Sequence, residues 1–274
     1  SQDVFFQMGL AFDSPAARSL SKTIAEHIYF HALSTSCNLA STLGAHASFG
    51  DTRAARGELQ FDGWGVVPTL PGWGALRERV REVGLRNSLL VAIAPTATIA
   101  SIAGCYECIE PQVSNLFKRE TLSGDFLQVN RYLAETLKKL DLWNETTRSH
   151  LKRADGSIQG LEFIPPDVRS VYRTVWEIPQ RALIDMAADR GAFIDQSQSL
   201  NLFMEDPKMG QLSSMYMYAW ERGLKTTYYL RSRPATKIAK TTVEVPRSES
   251  VREYSEEESV VCSLENPGAC EACM

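Results

Sequence analysis

The sequence predicts an α/β fold with helices in the majority, and three patterns carry that prediction. Apolar residues recur at helical spacing over a long stretch, at Leu20, Ile24, Ile28, Leu33 and Leu39. The continuous apolar run Leu89 to Ala94 suits a strand buried on both faces. Leu224 to Arg231 (LKTTYYLR) is a second β-rich run that follows a helix, so helical and extended segments alternate.

Taken in order, the first helix starts at Asp13-Ser14-Pro15, with Ser14 as N-cap and Pro15 at the first helical position, and Gly44 stops it. Residues 50–74 hold Gly50, Gly57, Gly63, Gly65, Pro68, Pro71, Gly72 and Gly74, which is loop chemistry. A short helix follows in ALRERVREVG and closes at Gly84. Beyond the apolar run, Phe126 to Leu140 is helical by period. Residues 142–165 read as a connector with a turn at Asp155-Gly156, and Asp167 caps a helix over Val168 to Trp176. Another helix runs from Pro179 to about Arg190, Ala192 to Phe203 is extended, and a Met- and aromatic-rich helix over Gln211 to Glu221 stops at Gly223. From Ser232 the pattern dissolves. Arg247 to Val261 carries five Glu and two Arg among serines, too little apolar area to offset ordering entropy, so a mobile tail is expected.

Composition narrows the function classes. Of 274 residues, 44% are hydrophobic and 23% charged, which excludes a disordered chain. The net charge of -4, with no long Lys/Arg block, disfavours a nucleic-acid binder. No apolar run approaches membrane-spanning length, and the start SQDVFFQMGLAFDS has neither a basic nor a clean apolar region, so a cytoplasmic protein without a membrane partner is expected. That start also lacks an initiator Met, so the chain is expected to be the C-terminal part of something longer.

Six cysteines, Cys37, Cys105, Cys108, Cys262, Cys270 and Cys273, are too few for a secreted disulfide scaffold, and two pairs have C-x-x-C spacing. Cys262, Cys270 and Cys273 close the chain in CSLENPGACEACM, after the solvated segment. Chain scaling over the 37 residues from Arg233 to Cys270 gives a reach of roughly 30 to 36 Å. A C-x-x-C pair on such an arm suits a thiol shuttle that exchanges with a buried disulfide, and a zinc knuckle is the competing reading. Cys105 and Cys108 in GCYECIEP are more simply two buried small residues. His27 and His31, one helical turn apart, either chelate a metal or mark an ordinary helix face.

Tyr228 and Tyr229 are adjacent on a strand pattern, which normally sends one ring to the core and one to the surface. A relay of electron and proton between the phenols requires the backbone to break that alternation. Pro95, Thr96, Ala97, Thr98 and Ile99 follow the apolar run and lead into a helix, a placement that suits a phosphate or, equally, plain N-capping by Thr96 or Thr98. Lys118 and Arg119 read as surface charge.

The strings LRNSLLVAIAPTATIASIAG, CIEPQVSNLF, LSGDF, FIDQSQSLN, GLKTTYYLRSRPAT and CSLENPGACEACM, in this order, resemble the C-terminal part of the large (alpha) subunit of class I ribonucleoside-diphosphate reductases of bacterial type. The resemblance implies the C-terminal part of a ten-stranded α/β barrel (1–120), a mainly helical region with the Tyr-Tyr strand (121–231) and a disordered redox tail (232–274). It implies that Tyr228 and Tyr229 relay a radical, that Cys270 and Cys273, with Cys262 as a further participant, re-reduce an active-site disulfide, and that 95–99 bind the substrate diphosphate. The family's loop is richer in hydroxyls, which leaves Thr98 and the backbone amides as the better candidates. The implied partners are a metal-containing small (beta) radical-generating subunit, thioredoxin or glutaredoxin, the N-terminal remainder of the subunit and a second large subunit. No cofactor is implied to bind this segment directly, and ATP or dNTP effectors bind outside it. The thiyl-radical cysteine also lies upstream, so no catalytic role passes to Cys37, Cys105 or Cys108. The alternative is a free-standing thiol-disulfide or zinc-binding module built on CEAC.

Overall fold

The computed structural model describes residues 2–121 and 124–233, without the side chains of 97, 101, 118–121 and 124–126. Helix α1 (Gln2–Met8) is followed by the long α2 (Pro15–Leu43). The start of α2 is as expected: Ser14 Oγ accepts the Ala17 N–H at 3.1 Å, and Gly44, at φ 78°, ends the helix. The Gly/Pro-rich stretch forms three short 3₁₀ turns, and α3 (Trp73–Val83) closes at Gly84, φ 87°.

Leu89 to Ala94 corrects the expectation of a strand buried on both faces. The segment is extended but makes one isolated parallel bridge, Ile93 to Gln198, and Leu89 is 54% exposed. Among the described residues it hydrogen-bonds along one edge, through Gln196 N to Val91 O (3.0 Å), Ile93 N to Ser197 O (3.0 Å) and Ser199 N to Ile93 O (2.8 Å). Helix α4 (Ala97–Ala103) comes next, then an antiparallel hairpin of β1 (Leu116–Thr121) and β2 (Gly124–Val129), in register from Leu116–Val129 to Thr121–Gly124.

The hairpin corrects the helix expected over Phe126 to Leu140. Phe126 to Val129 pair with β1, and α5 (Arg131–Lys139) begins only where Asn130 caps the Tyr132 N–H at 3.1 Å. The apolar period that reads as one helix is shared by a strand face and the α5 face carrying buried Leu133 and Leu137. The expected connector also holds α6 (Glu145–Arg153), capped by Asn144, before Asp155 and Gly156 turn the chain with positive φ. Helix α7 (Pro166–Val171) ends earlier than Trp176, with a separate 3₁₀ turn at Val175–Glu177. Helices α8 (Gln180–Gly191) and α9 (Met209–Glu221) lie where the pattern puts them.

The regular strand in Leu224 to Arg231 shrinks to β4 (Leu230–Arg231), paired in parallel with β3 (Leu202–Phe203). Residues 196–204 therefore run between two parallel neighbours, pairing first with 91–93 and then with 228–231. These pairings and the hairpin are the sheets of the described residues, and they do not close into a barrel. Four apolar clusters surround them. Leu183 and Met186 of α8 face Phe5, Phe12 and Val175, while its Ile184 and Ala187 face Leu200, Leu202 and Met215 of α9. At about 25 cal/mol per Å² of apolar area, this double burial makes α8 the packing centre for 200–204 and α9.

Candidate functional site

The site is built on segment 196–204 and its two parallel neighbours. On one side, the Asp195 carboxylate accepts from Leu90 N (2.9 and 3.1 Å) and Val91 N (2.8 Å), fixing the segment that leads into residues 95–99. Burial, opposed by those bonds, holds the Asp195 carboxyl above the usual carboxylate range. On the other side, the Lys225 ammonium donates to the carbonyls of Ile194 and Asp195 (2.9 Å each) and Gln196 (3.1 Å), and Thr226 Oγ1 donates to Gln198 O (3.0 Å). The sequence FIDQSQSLN is thus held from both flanks.

The tyrosine pair rests on this base. Tyr228 N–H donates to Leu200 O at 2.7 Å and Leu202 N–H donates to Tyr229 O at 2.9 Å. The rings do not split between core and surface: Tyr228 is 45% and Tyr229 54% exposed, which overturns the alternating expectation. Their centroids are 4.0 Å apart at 46°, and their hydroxyls are 3.1 Å apart. That hydrogen bond holds the Tyr228 phenol above its ordinary titration range, so Tyr228 keeps its proton at neutral pH. The Arg231 guanidinium lies 5.8 Å from the Tyr229 ring centre. Such a pair can pass a hydrogen atom, as proton plus electron, from one oxygen to the other.

Residues Pro95, Thr96, Ala97, Thr98 and Ile99 enter α4, whose Ala100 N–H bonds Thr96 O at 2.7 Å. Thr96 Oγ1 is engaged, donating to Glu107 O at 3.0 Å, whereas Thr98 and Ile99 are exposed. Cys105 and Cys108 are both free, and neither is the buried residue expected: Cys105 is exposed, with its Sγ 3.7 Å from Ala100 O, and Cys108 is half-buried. Burial first, then the charges of Glu110 and Glu107, push the Cys108 thiol up to about 11, a poor nucleophile at neutral pH. His27 and His31 stand 6.4 Å apart, ring to ring, on the exposed side of α2. Among the described residues no group of three or more metal-ligating side chains assembles. Cys262, Cys270 and Cys273 lie outside the described residues.

Sequence reasoning missed a buried polar network beneath the pair. Glu110, 2% exposed, accepts the Asn201 N–H at 2.6 Å. Arg190, 3% exposed, donates to Gln198 Oε1 at 2.7 Å, and Gln198 Nε2 donates to Ala187 O at 2.9 Å. Burial pulls Arg190 down to about 10, against the charges of Glu110 and Asp189. The strings CIEP and FIDQSQSLN contain three of these residues, but Glu110 and Asn201 are 91 positions apart and no local period marks the contacts of Gln198 with Arg190 and Ala187.

Comparison with known proteins gives the family of the chain. The family profile "Ribonucleotide reductase, barrel domain" matches residues 1–230. The Arabidopsis thaliana ribonucleoside-diphosphate reductase large subunit is 44% identical over 286 residues, covering 99% of this chain and 35% of that protein. The Danio rerio large subunit is 41% identical over 99% of the chain and 36% of its own length, and that of Vaccinia virus (strain Copenhagen) 47% identical over 85% and 30%. The solved Actinobacillus ureae class Id ribonucleotide reductase alpha subunit superposes with a TM-score of 0.64 at 27% identity, over 84% of this chain and 37% of that one. The chain therefore spans about 35% of the length of the curated relatives it matches. These relatives are eukaryotic and viral, so the match supports the large-subunit family as a whole and not its bacterial branch in particular.

Proposed function

Since the chain belongs to the ribonucleotide reductase barrel-domain family, we propose that it serves, within a large subunit, the radical-based reduction of ribonucleoside diphosphates to deoxyribonucleoside diphosphates. The single observation that carries this reading is the pair of half-exposed phenols, hydrogen-bonded to each other with their oxygens 3.1 Å apart. The alternative of a free-standing CEAC module needs neither these tyrosines nor the segment that holds them.

Each part has its own role in the proposal. A radical originating in the metal-containing small subunit reaches Tyr228 and Tyr229. The oxidised phenol takes an electron and a proton from its neighbour across the 3.1 Å contact and passes the vacancy inward, toward a cysteine supplied upstream. Residues 95–99 present backbone amides and Thr98 to the substrate diphosphate. Pro95 fixes the entry of the chain, and Ala97 and Ile99 contribute their backbone N–H groups. The tail pair Cys270 and Cys273, with Cys262, transfers two electrons and two protons to the active-site disulfide. It is itself oxidised to a disulfide, which thioredoxin or glutaredoxin reduces. Residues 1–120 form the C-terminal part of a ten-stranded barrel, 121–231 the helical region with the tyrosines, and 232–274 the redox tail. The working assembly is a large-subunit dimer in the cytoplasm, with ATP and dNTP effectors bound outside this segment. Among the described residues no helix is long and apolar enough to cross a membrane.

The test is Tyr228→Phe and Tyr229→Phe in the complete large subunit paired with its small subunit. Each removes one hydroxyl, so melting temperature and nucleotide binding are expected to stay within error of wild type while turnover falls by at least 10³-fold, as a relay without its proton-coupled step requires. Retention of most activity by either variant would refute the relay at that position.

A further inference from the structure

We propose that Glu110 is a positioning residue for the tyrosine pair, acting through the single peptide group between Leu200 and Asn201. The inference rests on the relay reading of Tyr228 and Tyr229 and goes beyond it by naming what sets their geometry.

The peptide is held from both ends. Its N–H, on Asn201, donates to Glu110 Oε1 at 2.6 Å, and its carbonyl, on Leu200, accepts the Tyr228 N–H at 2.7 Å. Both distances are shorter than the usual 2.9–3.0 Å of an N–H···O bond. The two bonds share one rigid, planar peptide, so the Glu110 oxygen that anchors its N–H also fixes the direction in which its carbonyl meets the Tyr228 N–H. Glu110 is 2% exposed, which keeps water from competing for Asn201 N–H. The negative charge is tolerated there because Arg190, 3% exposed, interacts with it electrostatically.

Among the described residues the rings themselves have few holds, the Arg231 guanidinium 5.8 Å from the Tyr229 ring centre being one, so the phenols depend on this backbone. Both rings are about half exposed, and the hydroxyl of each bonds to the other. Their 4.0 Å centroid spacing is therefore set by the backbone of 228–229, whose first inter-segment bond is the one to Leu200 O. If the Leu200–Asn201 peptide tilts, the Tyr228 N–H loses its acceptor, and the phenol oxygens move apart. A displacement of about 1 Å in a reacting pair lowers rates on the order of 10²-fold. What matters in Glu110 is its reach: an oxygen acceptor at the end of a two-methylene arm.

Reach and charge can be separated with two substitutions in the complete large subunit. Glu110→Gln keeps an oxygen at the same reach and removes the charge; Glu110→Asp keeps the charge and withdraws the oxygen by one methylene. With 3-fluorotyrosine placed at position 228, the ¹⁹F spectrum reports ring geometry independently of turnover. The expected result is a single wild-type-like resonance and kcat within about 3-fold for Glu110→Gln. Glu110→Asp is expected to give a shifted or split resonance and at least a 10-fold lower kcat, with KM for the nucleoside diphosphate unchanged. A wild-type spectrum in Glu110→Asp, or a perturbed one in Glu110→Gln, overturns the proposal. A shifted spectrum in Glu110→Asp with full turnover upholds the positioning and refutes the relay reading, so the two failures are distinguishable.

Discussion

Replacing Asp195 by alanine removes the acceptor that holds residues 90 and 91, and the cost follows from the partners it leaves. Two backbone donors, Leu90 N–H and Val91 N–H, lose a carboxylate that accepts both. A hydrogen bond to a charged group contributes about 1.5–3 kcal/mol. Leu90 is half-buried, and water can replace much of its bond, whereas Val91 is 9% exposed and its N–H is left largely dry. The sum is about 3 kcal/mol of local stability, which at 1.4 kcal/mol per tenfold is roughly 100-fold in local opening. Hydrogen-deuterium exchange of the peptide covering residues 88–93, in the complete large subunit, reads that number directly. Because 91–93 lead into residues 95–99, KM for the nucleoside diphosphate is expected to rise several-fold, with the tyrosine hydrogen bonds intact. Asp195→Asn behaves differently. The folded pKa of Asp195 is raised above 3.8, so its contribution to stability is full below that pH and declines as pH rises through the raised value. Removing the charge at neutral pH while keeping an acceptor oxygen should therefore leave exchange within about 5-fold of wild type. Exchange at 88–93 within 3-fold of wild type in Asp195→Ala would refute the reasoning.

Two further outcomes are expected. Glu26, 1% exposed on α2, accepts from Thr69 N and Leu70 N (2.6 Å each), Thr69 Oγ1 (2.7 Å) and Trp73 Nε1 (3.0 Å), so Glu26→Ala should cost about 3–5 kcal/mol, measured as faster amide exchange at 69–70. Burial raises the Glu26 pKa, but these bonds outweigh it and the net shift is downward. Wild-type protection should thus be full above pH 4.5 and be lost as pH falls through the lowered value; protection flat across that window would count against the assignment. In the tail, Cys270→Ser or Cys273→Ser should abolish turnover supported by thioredoxin or glutaredoxin and spare turnover driven by a small dithiol, and equal loss with both reductants would exclude a shuttle.

Local chemistry was sufficient where it acts within one turn of chain. Ser14, Pro15 and Gly44 bound α2 because a cap and a positive-φ residue need no distant partner, and Gly84 and Gly223 end α3 and α9 for the same reason. The strings around FIDQSQSLN and TYYLRSRPAT were enough to place the chain in its family, since such runs of side chains are specific in a way that helical periodicity is not. What local pattern could not decide was pairing. Phe126 to Val129 fits a helix by period and becomes a strand because β1 lies alongside it, and Leu89 to Ala94 has the composition of a doubly buried strand yet pairs along one edge. Tyr228 and Tyr229 alternate in sequence but stand together because their backbone hangs from Leu200 and Leu202. Beneath them, Glu110 meets Asn201 across 91 positions, and Asp195 meets Leu90 across 105. A buried carboxylate needs donors, and any of the chain's amide groups can supply them, so the residue type announces the need while only the tertiary fold selects the partner.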